Sequence, residues 1–162
     1  PVSRTSYIIG NVLGNIFLII IYIFLMTIIL GVALFFVKEG YTKEDFIAIF
    51  YIFEKLAMLV SLGVFFAVIS DSYVTANIFT FSSYILGHFT SDILELVKVT
   101  SNEAIKIIMK LLTILLPRYS VLNYRDFIYN IEVSHLKISI YVIVYIVIVT
   151  LISSLIFEKR KL

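Results

Sequence analysis

From residue 16 to residue 37 the chain reads IFLIIIYIFLMTIILGVALFFV, roughly 22 residues without a formal charge. At a rise of ~1.5 Å per residue this is about 33 Å of helix, enough to cross a hydrocarbon core of ~30 Å. Only Tyr22, Thr27 and Gly31 interrupt it, so there is no polar face to turn toward water. Once one segment lies in lipid, the others must satisfy their backbone hydrogen bonds internally, which makes them helical or interfacial.

The same pattern predicts three more spans. Residues 46–70 form the second, entered after Gly40 breaks the first helix and through a capping-box pair, Thr42 and Asp45. It carries two charges, Glu54 and Lys55. Neighbours on a helix point ~100° apart, so the two do not simply neutralise each other. A tight link, Ser70-Asp71-Ser72-Tyr73, leads to a third and more polar span over residues 74–97. Ser83 and Gly87 in it are a small-xxx-small pair that invites close approach by another helix. Residues 138–157 are the last span, where uninterrupted apolar length outweighs a β-branched composition.

Two stretches read as interfacial. Residues 1–15 place Ile8, Ile9, Val12 and Leu13 on one side, with Ser3, Arg4, Thr5 and Ser6 polar, as in a helix lying flat at the headgroups before the first span. Residues 101–116, behind a capping-box signal at Thr100–Glu103, put Glu103, Lys106, Lys110 and Thr113 on one stripe and Ile, Met and Leu on the other. Pro117 stops this helix, which is interfacial or re-entrant; a docking helix for a soluble partner is the rival use. The fold class is therefore all-α: a polytopic membrane protein, a single transmembrane domain over residues 1–162 with four spans and two interfacial helices.

Composition agrees. Hydrophobic residues make up 61% and charged ones 15%, too few to clothe a water-soluble surface. The mean hydropathy is +1.07. With no cysteine there is no disulfide framework or thiolate metal site. A net charge of +2 argues against nucleic acid as a partner. No phosphate-binding glycine loop, zinc-binding His-Glu-x-x-His or Gly-x-Ser-x-Gly elbow occurs, so no catalytic residue is assigned, and ATP binding within this chain is not expected.

Depth along the helices brings candidate chemistry together. Glu54 lies about nine residues into the second span, ~14 Å, and His88 a similar distance from the end of the third. Lys55, His88 and Asp92 therefore fall near one level. Charges there cost several kcal/mol unless they face protein or water. Glu54, Lys55, His88 and Asp92 are read as lining a substrate or proton path, or as a buried interhelical ion pair or hydrogen bond. Asp92 and Glu95, three apart, suit a metal or proton site less well than a polar helix end. His135 is read as a lone loop histidine with no assigned role.

Three segments resemble permease subunits of type-2 ATP-binding-cassette transporters. The opening matches the cytoplasmic segment before that family's third membrane helix through Pro1, Val2, Ser3, Arg4, Tyr7, Ile8, Ile9, Gly10 and Gly14, with Asn11 where lysine is common. Leu116, Pro117, Ser120, Leu122 and Asn123 resemble the segment between the last two spans, with Arg118 in place of asparagine. The ending FEKRKL is similar to the family's aromatic-plus-basic terminus, with Glu158 and Lys161 as departures. The resemblance covers nearly the whole chain as the later two-thirds of a six-helix permease, so spans upstream of Pro1 are expected.

The resemblance implies an exporter subunit in the cell membrane of a bacterium or archaeon. A separate ATPase subunit would carry ATP and magnesium and dock near Pro1, Ser3, Arg4 and Tyr7, and a second permease chain would complete the path. The charge pattern pulls the other way. Arg4, Lys159, Arg160 and Lys161 would share one side of the membrane, whereas Lys38, Lys43, Lys98, Lys106, Lys110, Arg118, Arg125 and Lys137 would share the other. The positive-inside rule then puts both ends outside. The family arrangement, both ends inside, is adopted because the earliest helices usually dominate that rule and several of these lysines can snorkel from an amphipathic segment. An ion- or proton-coupled transporter or channel without an ATPase, and a membrane assembly protein with no flux, are the alternatives.

Overall fold

A computed structural model describes residues 3–123 and 134–159, and these are helical almost throughout. Pro1, Arg125 and the basic pair Arg160 and Lys161 lie outside the described residues. Six α-helices and one 3-10 turn follow in order among them: α1 (Arg4–Val37), α2 (Lys43–Ile69), α3 (Tyr73–His88), α4 (Thr90–Val99), α5 (Glu103–Leu115), η1 (Tyr119–Leu122) and α6 (His135–Lys159). Three of them, α1, α2 and α6, are long and apolar enough to cross a membrane.

α1 is one continuous helix of 34 residues, about 51 Å. The expected flat helix over residues 1–15 and the span over 16–37 are thus a single rod. Ser3 caps it, its hydroxyl accepting from the Ser6 amide at 3.1 Å. Gly10 and Gly14 do not break it, and Ile8 and Val12 are buried against the rest of the bundle, so packing carries the helix through. The most apolar stretch of α1 is not buried at all, as suits a surface wetted by lipid.

The helix ends at Val37, with Lys38 as its cap. Lys38, not Gly40, takes the left-handed conformation, at φ 61°, and the Glu39 amide closes back on the Leu34 carbonyl at 3.0 Å. Tyr41 then folds down α1 and bonds the Thr27 carbonyl. A side chain at Gly31 would meet the Tyr41 ring at 3.1 Å, so the missing Cβ makes that approach possible. The predicted capping box is present: Thr42 accepts from the Asp45 amide, and Asp45 accepts from the Thr42 amide at 2.8 Å.

α2 is the post of the bundle. Its buried residues Tyr51, Glu54, Met58, Ser61, Leu62 and Val68 recur at helical spacing, and α1, α3, η1 and α6 all pack on it. Tyr51, Met58 and Leu62 meet Tyr119 and Leu122 of η1 and Ile138, Val142 and Val149 of α6 in one apolar cluster. α6 runs parallel to α2 and antiparallel to α1. Its first residue meets Tyr51, and its last turn meets Arg4.

The third predicted span, 74–97, is not one helix. α3 has 16 residues, about 24 Å, shorter than the hydrocarbon core. The chain turns at Phe89, whose amide bonds Leu86 three residues back rather than four, and α4 starts anew. The cause lies farther along the sequence. A Cβ on Gly87 would stand 2.5 Å from both the Pro117 carbonyl and the Tyr119 ring, so this turn of α3 is pressed by the segment before and within η1. The small-xxx-small pair does receive a close neighbour, but that neighbour is an irregular turn.

α4 and α5 form a helical hairpin. α5 carries the expected amphipathic pattern, but its cap is Asn102, which accepts from the Ala104 and Ile105 amides. Thr100 instead bonds the Leu96 carbonyl in α4.

Candidate functional site

Midway along the bundle, polar side chains gather on two sides of α2. On the side facing α3 and η1, the Lys55 ammonium donates to Asn123 Oδ1 at 2.6 Å and lies 3.4 Å from His88 Nε2. His88 Nδ1 stands 2.9 Å from the Tyr84 carbonyl. A carbonyl only accepts, so Nδ1 carries a proton and Nε2 is left to accept from Lys55. The His88 ring sits edge-on to Tyr84 at 4.5 Å and stacks on Tyr119 at 5.6 Å. Sequence depth placed Lys55 and His88 together, and they are in contact.

These contacts bear the load of a charge inside the bundle. Placing a lysine at the centre of a membrane helix costs ~2.5–3.5 kcal/mol. One charge-assisted hydrogen bond returns ~1.5–3 kcal/mol, so the Asn123 contact alone offsets much of that cost. Thr90 and Ser91 at the start of α4 reach Ser120 of η1, at 3.2 and 2.7 Å, and hold the turn in place beside the lysine.

On the side facing α6, Glu54 is 4% exposed and lies within reach of the Ser139 hydroxyl. Its Oε2 has no hydrogen-bond partner among the described residues. One turn nearer the start of both helices, the Tyr51 hydroxyl bonds His135 Nδ1. His135 is therefore not a loop histidine. It opens α6 and ties it to α2.

Asp92 does not join this layer. It sits exposed in the first turn of α4, where the positive end of the helix favours a carboxylate. No group of three or more metal-ligating side chains occurs among the described residues.

The predicted coupling residues meet the far end of α6. Arg4 Nη1 donates to the Glu158 carbonyl at 3.1 Å and to that of Phe157 at 3.5 Å, a cation on the negative end of a helix. The Tyr7 ring stacks on Phe157 with centroids 5.8 Å apart. Ser3 is the cap of α1. Above this clamp a cleft of about 500 Å³ opens between α1, α2 and α3, with Asn11, Asn15, Asn77 and Thr80 among its lining residues.

Sequence reasoning missed Asn123, Tyr51, His135, Ser139 and Tyr119 as members of the polar layer. Asn123 had a signal, since it is one of the residues that resemble the permease pattern. Tyr51 had one too, at three residues from Glu54 on the same helix face. Nothing local marks the other three.

No protein-family model, no curated protein and no solved structure matches this chain.

Proposed function

We propose that this chain is the membrane-spanning permease subunit of an ATP-binding-cassette exporter, working with a separate ATPase subunit and a second permease chain in the cell membrane of a bacterium or archaeon. In this reading α1, α2, α3 and α6 are its four spans. The shortened α3 hands over to an α4–α5 hairpin, and η1 dips back to the level of Lys55. Both described ends lie on the ATPase side. The cleft between α1, α2 and α3 and the Lys55–His88 level belong to the wall of the transport path.

The observation that carries this reading is the Arg4–Tyr7 clamp. It joins the start of the first helix to the last turn of the last helix at one end of the bundle. A partner that pushes on the foot of α1 would move α6 with it, and α6 is packed along the post of the bundle. That is the mechanical linkage a coupling segment needs, and Ser3, Arg4 and Tyr7 are among the residues that carry the family resemblance.

The test is Arg4→Glu in the full-length protein. Reversing the charge against the α6 carbonyls removes ~0.3–1 kcal/mol of attraction and adds similar repulsion, about tenfold in a coupling equilibrium. Co-purification of the ATPase and transport should both fall about tenfold. Unchanged docking and transport would end the coupling role. An ion- or proton-coupled carrier is the second reading, favoured by the buried carboxyl of Glu54. Transport by the purified chain under a proton gradient, with no ATPase present, would establish it.

A further inference from the structure

The geometry points to a reversible proton-binding site in the seam between α2 and α6, with Glu54 and Ser139 as the seat and Tyr51 and His135 as its route to the end of the bundle. This inference needs only the membrane-spanning reading and is independent of any ATPase.

Four observations meet here. Glu54 is 4% exposed, and one of its carboxyl oxygens has no hydrogen-bond partner among the described residues. A carboxylate buried with an oxygen unsatisfied is far costlier than the neutral acid. The neighbouring lysine is engaged elsewhere. Lys55 is adjacent in sequence, but its ammonium reaches His88 and Asn123 on the other side of α2. Finally, Tyr51 and Glu54 are three apart on α2, and His135 and Ser139 four apart on α6, so the side chains form two rungs about one helical turn apart. The outer rung is a Tyr–His hydrogen bond whose histidine is exposed at the first residue of α6.

Among the described residues, the neighbouring elements add one charged side chain at this end of α6, Lys137, which is exposed. Facing α2 from α6 are His135, Tyr141 and Tyr145, from α3 Tyr84 and His88, and from η1 Tyr119. The apolar stretch of α1 holds a single titratable side chain, Tyr22, which is exposed. The chemistry is a plain proton transfer. His135 takes a proton from water, Tyr51 accepts one from Nδ1 as it releases its own inward, and the Glu54 carboxylate becomes a carboxylic acid. One negative charge is removed, and His135 is left as its Nε2–H tautomer, which exchange with water at the exposed ring returns to the Nδ1–H form.

Infrared difference spectroscopy on the full-length protein in lipid nanodiscs tests this directly. The wild type should show the carbonyl stretch of a buried protonated carboxyl at neutral pH, shifted by deuterium exchange. Glu54→Gln should abolish that band, and Glu54→Asp should move it, which also shows that the site tolerates substitution. His135→Ala should keep the band but slow its deuterium exchange about a hundredfold, the scale of a positioned acid–base group. A wild type without the band, a band that survives Glu54→Gln, or exchange unchanged in His135→Ala would overturn the proposal. If Arg4→Glu leaves transport intact while these bands behave as stated, the permease reading falls and this site stands.

Discussion

Gly87→Ala isolates the contact that breaks the third predicted span. The added methyl would stand 2.5 Å from the Pro117 carbonyl and 2.5 Å from the Tyr119 ring, a buried side chain held between α3 and the apolar cluster on α2. Neither neighbour is a flexible side-chain tip, so the segment must move. Overpacking of this kind costs ~1–3 kcal/mol. Alanine's better helix propensity returns up to ~1 kcal/mol, so the net destabilisation lies within about 0–3 kcal/mol and centres on ~1–2 kcal/mol. At ~2–4 °C per kcal/mol for a chain of this length, the melting temperature should fall by about 2–8 °C. Gly63→Ala is the control. There the methyl meets Thr80 at 3.7 Å, an ordinary contact, and stability should hold or rise. Both are read by helical circular dichroism during heating in nanodiscs. The chain has no cysteine, so Leu122→Cys supplies a sole thiol to report whether η1 stays buried. Its maleimide labelling should accelerate in the Gly87→Ala background. A Gly87→Ala protein as stable as Gly63→Ala, with Leu122→Cys equally protected, would refute the packing argument.

Other expectations follow from single contacts. Asn123→Ala removes the 2.6 Å partner of the Lys55 ammonium and should cost ~1.5–3 kcal/mol, whereas the double variant Lys55→Met/Asn123→Leu should recover most of it; equal losses in both, measured by thermal unfolding, would deny the coupling. Lys38→Gly should stabilise the end of α1 by ~1 kcal/mol, because φ 61° strains a residue with a Cβ. Thr42→Ala loses a capping box and should cost ~1 kcal/mol, seen as faster amide exchange in the first turn of α2.

What could be read from the residues alone was the part of the fold governed by position along one helix. Apolar length located α1, α2 and α6, because entry into lipid depends on the composition of each segment by itself. The Thr42–Asp45 cap and the amphipathic stripe of α5 were legible for the same reason: both are settled within four residues. Depth counting also brought Lys55 to His88, since helical rise converts residue number into distance.

Tertiary contact decided the rest. Whether residues 74–97 stay one helix depends on Pro117 and Tyr119 pressing on Gly87, some thirty positions away. Tyr51 and His135 are 84 residues apart, and Lys55 and Asn123 are 68 apart, so neither bond leaves a periodicity to detect. Asp92 shows the converse: spacing put it at the right depth, but the turn at Phe89 carried it out to the surface. Hydrophobicity selects which segments enter the membrane, whereas the direction in which a buried polar side chain finds its partner is set only once the helices have packed.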